Sequence, residues 1–155
     1  MSYKTWIVYG YGFNVGEIKT NCYRVKELAK LSSNYADDVN DILHEKFGEQ
    51  AKDDEFLKTQ DAYDAFANYD FEYSVGLSGL IGDLFADVIK EFTVTYTTNY
   101  EGDGFVLFEQ TFPWFLSEKE KILTHLDVAS IFRKYIAILT DQKIVIDTQE
   151  VENGG

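Results

Sequence analysis

The sequence predicts an α+β domain: an antiparallel sheet of about four strands with helices packed on one face, in the order β-α-α-(α)-α-β-β-α-β. Three observations lead there. Alternating apolar and polar stretches stand near both ends of the chain, and two more flank a turn in the middle. Segments with apolar residues at helical spacing are bunched between them. Strands and helices do not alternate regularly, which argues against a doubly wound parallel sheet.

Tyr3 to Gly12 alternates and is rich in aromatic and β-branched residues, so it reads as the first strand. Asn14, Gly16 and Asn21 mark a loop, and Cys22, Val25, Leu28 and Ala29 then recur at helical spacing until Ser32, Ser33 and Asn34 interrupt them. A second helix is expected over about 35–47. Val39, Ile42, Leu43 and Phe47 form its apolar side, and Gly48 is its stop. Asp53, Asp54 and Glu55 suggest a short helix start, and residues 61–69 another helix. Leu80, Ile81, Leu84, Phe85, Val88, Ile89 and Phe92 form a broad helical stripe. Thr93–Thr98 and Phe105–Phe112 read as a hairpin joined by Asn99 to Gly104. Ser117 with Glu120 has the spacing of a capping box. Val128, Ile131, Phe132, Tyr135, Ile136 and Leu139 give the most regular helix, over about 126–139. Lys143 to Val151 alternates as a last strand, and Asn153-Gly154-Gly155 is expected to fray.

At 155 residues with a single proline, Pro113, the chain reads as one domain over 1–155, with an acidic helical insert at about 35–73. No stretch approaches the roughly 20 apolar residues of a membrane helix, and the first residues lack the pattern of a secretory signal. A lone cysteine, Cys22, rules out an internal disulfide framework and suits a reducing compartment, so a cytoplasmic location is expected. The net charge is −13, unevenly spread: residues 1–36 hold five basic and two acidic side chains, whereas residues 37–72 hold three basic and twelve acidic. Such a chain is repelled by phosphate backbones and anionic lipid, which removes nucleic acid and membranes as direct partners. A basic protein surface suits it.

The motifs that suggest chemistry lack its other requirements. Gly10-Tyr11-Gly12-Phe13-Asn14-Val15-Gly16 imitates a dinucleotide loop, but no parallel strand with an acidic residue follows it, and glycines at a strand bulge or turn account for it. Asn99, Glu101, Asp103 and Gly104 imitate a calcium loop, yet Gln110 stands where a bidentate Glu is needed, and strands flank the segment. Cys22, His44 and His125 have no paired metal-ligand spacing, and Cys22 lies on the apolar side of its helix. Gly76-Leu77-Ser78-Gly79 lacks the spacing of a nucleophile elbow, so Ser78 belongs to a loop or a helix cap. No carboxylate pair is nominated by spacing, and neither a metal nor a cofactor is expected.

The remaining feature is the acidic and aromatic tract from Asp37 to Tyr73, which includes Asp53, Asp54, Asp70, Glu72, Tyr35, Phe66, Tyr69 and Phe71. Its ordinary explanation is a solvated helix face over aromatic core. The sharper one is a binding surface built from Asp37, Asp38, Asp41, Glu45, Asp61, Tyr63 and Asp64, with carboxylates steering a basic partner and tyrosine supplying contact area.

Tyr9-Gly10-Tyr11-Gly12-Phe13, Ile131-Phe132-Arg133-Lys134-Tyr135, Leu139-Thr140-Asp141 and the ending Val151-Glu152-Asn153-Gly154-Gly155 together resemble small acidic proteins of unassigned function from phages and prophages of Gram-positive bacteria. The resemblance covers about a third of the chain and carries over no catalytic residues. By analogy it implies a counter-defence role in the bacterial cytoplasm, such as mimicry of DNA toward a restriction or CRISPR nuclease. The expectation is therefore a non-enzymatic inhibitor of a basic, nucleic-acid-handling host protein. The alternative is a structural or assembly protein that works as a homo-oligomer through its aromatic surplus.

Overall fold

The computed structural model describes residues 5–69, 76–110 and 113–154. Four strands form one antiparallel sheet in the order β2-β3-β1-β4, where β1 is Thr5–Asn14, β2 Thr95–Thr98, β3 Gly104–Glu109 and β4 Asp147–Gly154. The α+β class, the antiparallel sheet and the central hairpin are as the sequence predicts. Because side chains alternate along β1, Tyr11 and Phe13 share a face with Phe108 and Val106 opposite them on β3. The helices cover this face. Phe13 meets Phe85 and Phe132 edge to face, and Phe92 does the same with Phe108 and Phe132.

Seven α-helices occur among the described residues: α1 Cys22–Ala29, α2 Ala36–Phe47, α3 Asp54–Leu57, α4 Gln60–Ala67, α5 Gly76–Val88, α6 Glu118–Lys121 and α7 His125–Leu139. α5 packs on β2 and β3 and α7 on β1, while α1 joins α7 and α5 to the outer helices α2, α3 and α4. The predicted capping box of Ser117 and Glu120 forms, the helix start expected at Asp53 is capped by that residue, and Asn21, read as a loop marker, caps α1. Glu120 also accepts the Thr93 N–H at 2.8 Å, which ties α6 to the segment entering β2. These N–H groups hold its carboxyl below the usual range.

The sheet is rolled. Its edge strands meet on the side away from the helices, where Tyr100 N–H donates to Glu152 O at 3.1 Å and the Asn153 side chain bonds Thr97 Oγ1 at 3.2 Å. Leu107 and Val151, which point to this second face, are therefore buried as well. The roll depends on Gly12, where a Cβ would run into the Val106 carbonyl. The Gly10–Gly16 stretch is thus mostly strand, Gly10 and Gly12 let β1 approach β3 closely, and Gly16 sits in the turn that follows.

Four local expectations are corrected. Gly76 to Gly79 is the first turn of α5 instead of a loop, with Ser78 Oγ 3.1 Å from Tyr96 Oη. Tyr96 lies so close over Gly82 that any side chain there would strike its ring, so Ser78 and Gly82 are the points where α5 meets β2. α5 ends at Val88, and Ile89 and Phe92 stay buried in the irregular segment beyond it. The last strand begins at Asp147, not Lys143. Ile144 and Ile146 alternate because both reach the core from the connection after α7, without a strand ladder. Asn153 and Gly154, expected to fray, pair with Trp6 and Thr5. Tyr3, Lys4, residues 111–112 of the predicted strand and Gly155 lie outside the described residues.

Candidate functional site

α2 displays the acidic face. Successive residues turn by about 100°, so Asp37, Asp38, Asp41 and Glu45 fall within roughly 100° of arc, and Val39 and Leu43 point the other way into the core. All four acids are exposed. The helix starts where it does because of a buried polar knot behind it. Ser32 Oγ accepts the Tyr35 N–H at 2.9 Å and donates to Asp87 of α5, and Asn34 Nδ2 donates to the same carboxylate at 2.6 Å. These donors, Ser32 first, hold the Asp87 carboxyl below its usual range. Tyr35 sits over this junction. Burial first, then the negative charges of Asp83, Asp87 and Asp38, pushes its phenol up.

α4 supplies the second part. Asp61 and Asp64 are exposed, about 60° apart around the helix, with Asp64 accepting from Gln60 Nε2 at 2.8 Å. Tyr63 points elsewhere. It packs half-buried against the core on the side of Ala62 and Phe66, and burial pushes its hydroxyl up to about 12. The tyrosine that joins the acidic face is Tyr69, just beyond α4, whose hydroxyl donates to Glu45 Oε2 at 2.8 Å. That bond ties the C-terminal ends of α2 and α4 together. Its signal in sequence is only an acid and a phenol 24 residues apart, which no periodicity links. Asp70, Phe71, Glu72 and Tyr73 of the predicted tract lie outside the described residues.

Among the described residues, none of Asp37, Asp38, Asp41, Glu45, Asp61 and Asp64 pairs with a lysine or arginine, although seven ion pairs occur elsewhere. Four carboxylates from Asp37 to Glu45 span about 12 Å of helix axis, one per roughly 4 Å, close to the one charge per about 3.4 Å along a DNA strand.

The other sequence candidates are placed as follows. Cys22 is buried at the start of α1, and burial pushes its thiol up to about 12, which keeps it protonated at neutral pH. His44 is exposed on α2, while His125 stacks on Tyr11 with ring centroids 4.2 Å apart, so the three fall on different helices. In the hairpin turn the Asn99 side chain accepts the N–H groups of Glu101 and Asp103 and donates to the Asp103 carboxylate. An apolar surface that sequence reading missed lies near the other end of the chain. Trp114, Phe115, Ile122 and Leu126 are between 69% and 82% exposed. Their signal was present, since none of them belongs to an amphipathic stripe.

Comparison with known proteins finds no matching family model, no matching curated protein and no matching solved structure.

Proposed function

We propose that this protein is a non-enzymatic binding protein whose α2–α4 face docks a basic surface of a nucleic-acid-handling protein, and that it inhibits that partner by occupying the place of DNA. The observation that carries the reading is the row Asp37, Asp38, Asp41 and Glu45, free of ion pairs among the described residues and tied through Tyr69 to the C-terminal end of α4, the helix that carries Asp61 and Asp64. Asp37 and Asp38 lie in the first turn of α2, where the helix dipole favours them, but Asp41 and Glu45 gain no such support and stand three and four residues from like charges, which costs some stability. In its finer form the proposal is a phage-type counter-defence protein of the bacterial cytoplasm, acting on a restriction or CRISPR nuclease.

The test is capture of partners from host lysate at low and moderate salt, with wild type and with a variant carrying Asp37, Asp38, Asp41 and Glu45 changed to Lys. A basic nucleic-acid-binding protein should be retained by wild type, released by salt and by competing DNA, and lost with the variant, while the variant's Tm stays within a few degrees. Retention by the charge-reversed variant would end this reading.

A second reading, self-assembly as a structural protein, is favoured by the exposed Trp114, Phe115, Ile122 and Leu126. Light scattering at low concentration decides it. A strict monomer counts against assembly, and a dimer that Trp114→Ser dissociates supports it.

A further inference from the structure

Near the start of α1 the charge of the molecule changes sign. A cavity of about 370 Å³ opens between the segment leading into α1 and the end of α7, lined by Lys19, Thr20, Arg24 and Asp141. A neighbouring cavity of about 350 Å³ shares the Asp141 wall and adds Arg133 and Lys143. Four of the chain's 14 basic residues thus surround one carboxylate, in a protein with 27 acids. The positive end of α1 and the negative end of α7 meet here, so the helix dipoles oppose each other and the side chains set the sign.

Two polar atoms of the lining residues lack a partner. Arg24 Nη1 and Thr20 Oγ1 are buried and have no hydrogen-bond partner, a state that disfavours the structure unless some acceptor arrives. The guanidinium is held inward by one bond, Nη2 to Asp141 Oδ1 at 2.9 Å, and the Asp141 side chain is 90% exposed. Arg24 lines this cavity, and the largely exposed Asp141 carboxylate is the partner that an incoming anion would replace. Lys19 N–H donates to Gln142 Oε1 at 2.8 Å, which joins the segment entering α1 to the end of α7.

We propose that this cavity is a binding site for a small phosphate-bearing molecule. Its phosphate replaces the Asp141 carboxylate on Arg24, takes the Thr20 hydroxyl as a second donor and is neutralised by Lys19. A planar guanidinium fork with a hydroxyl and an ammonium suits a tetrahedral oxyanion. The overall charge of −13 repels extended polyanions, which restricts the ligand to small ones. The site goes beyond the proposed acidic face and shares no residue with it, so either can fail alone.

The test is titration with inorganic phosphate at constant ionic strength, followed by backbone amide NMR shifts, with chloride as the salt control and citrate as a carboxylate probe. Saturable shifts at residues 19–24 and 140–143, in the low-millimolar range, are expected for phosphate alone. Lys19→Met, at an exposed position, should weaken binding about twofold to fivefold, the size expected of one solvent-screened ion contact. Asp141→Asn should tighten it severalfold by removing the competing carboxylate. A response no larger than that to chloride, a response to citrate in place of phosphate, or identical binding by both variants would each overturn the proposal.

Discussion

α2 and α7 are both amphipathic, with 12 and 15 residues, and they do different work. α7 buries Val128, Ala129, Phe132, Tyr135, Ile136 and Leu139 against the helix-covered side of the sheet and its neighbours. α2 fully buries only Val39 and Leu43, packs on α1, and turns its acids outward. The fold therefore rests on the aromatic layer between sheet, α5 and α7. The outer helices are held by fewer apolar contacts and by hydrogen-bonded junctions. Selection acting on α2 can change its solvent side at little cost in stability, whereas α7 has no such freedom on its buried side.

The difference is largest where the rings interlock. Phe132 is fully buried and meets both Phe13 and Phe92 edge to face. Phe132→Ala should cost about 3–5 kcal/mol in urea unfolding, through lost burial and the cavity left behind. An effect as small as that of an exposed substitution would mean that the aromatic layer does not carry the fold.

A smaller effect is expected at the junction between the two regions. Ser32 is buried and joins Asp87 of α5 to the start of α2. Ser32→Ala removes one donor to the carboxylate and one acceptor for a backbone N–H, which should cost about 1–3 kcal/mol. The contribution depends on pH. The Asp87 carboxyl lies below its ordinary value in the folded protein, so its stabilisation is complete above the ordinary carboxylate value near about 3.9 and is lost as pH falls through the lower folded value. The gap between wild type and Ser32→Ala should therefore narrow in urea unfolding as the pH drops from neutral through the lowered folded value, leaving the pH-independent cost of the lost N–H acceptor. Glu120, lowered by the N–H groups of Ser117 and Thr93, loses stabilisation in the same direction in both proteins and leaves that narrowing intact.

What the sequence made legible follows the same division. Periodicity found α7, α2 and the sheet strands because their faces are set by one-sided burial, and the Ser117–Glu120 box was readable because its partners are three residues apart. It failed where distant residues decide. Gly76 to Gly79 looks like a loop until Tyr96 is known to lie on that part of α5. Ile144 and Ile146 look like a strand because both reach the core, and only the β1 register shows that pairing starts at Asp147. In the acidic tract the shared face of Asp37, Asp38, Asp41 and Glu45 was readable from helix geometry. Tyr63, which sequence reading placed on the binding surface, packs inward beside Ala62 and Phe66. The Tyr69–Glu45 bond depends on how α2 and α4 pack, which no local pattern encodes.

The smallest expected effect on stability separates a binding face from a merely solvated one. Asp41 has Asp37 and Glu45 four residues away and Asp38 three away, all exposed on α2. Asp41→Asn relieves these repulsions and should raise stability by about 0.5 kcal/mol at low ionic strength, a gain that fades as salt shortens the screening length. A solvated face predicts that gain with no functional consequence. A docking face predicts the same gain together with weaker retention of the basic partner, because the charge that burdens the free protein is the one the partner neutralises. Measured on one variant, a rise in stability with a fall in binding has opposite signs that misfolding cannot produce. A rise in stability with binding unchanged leaves α2 as solvated surface.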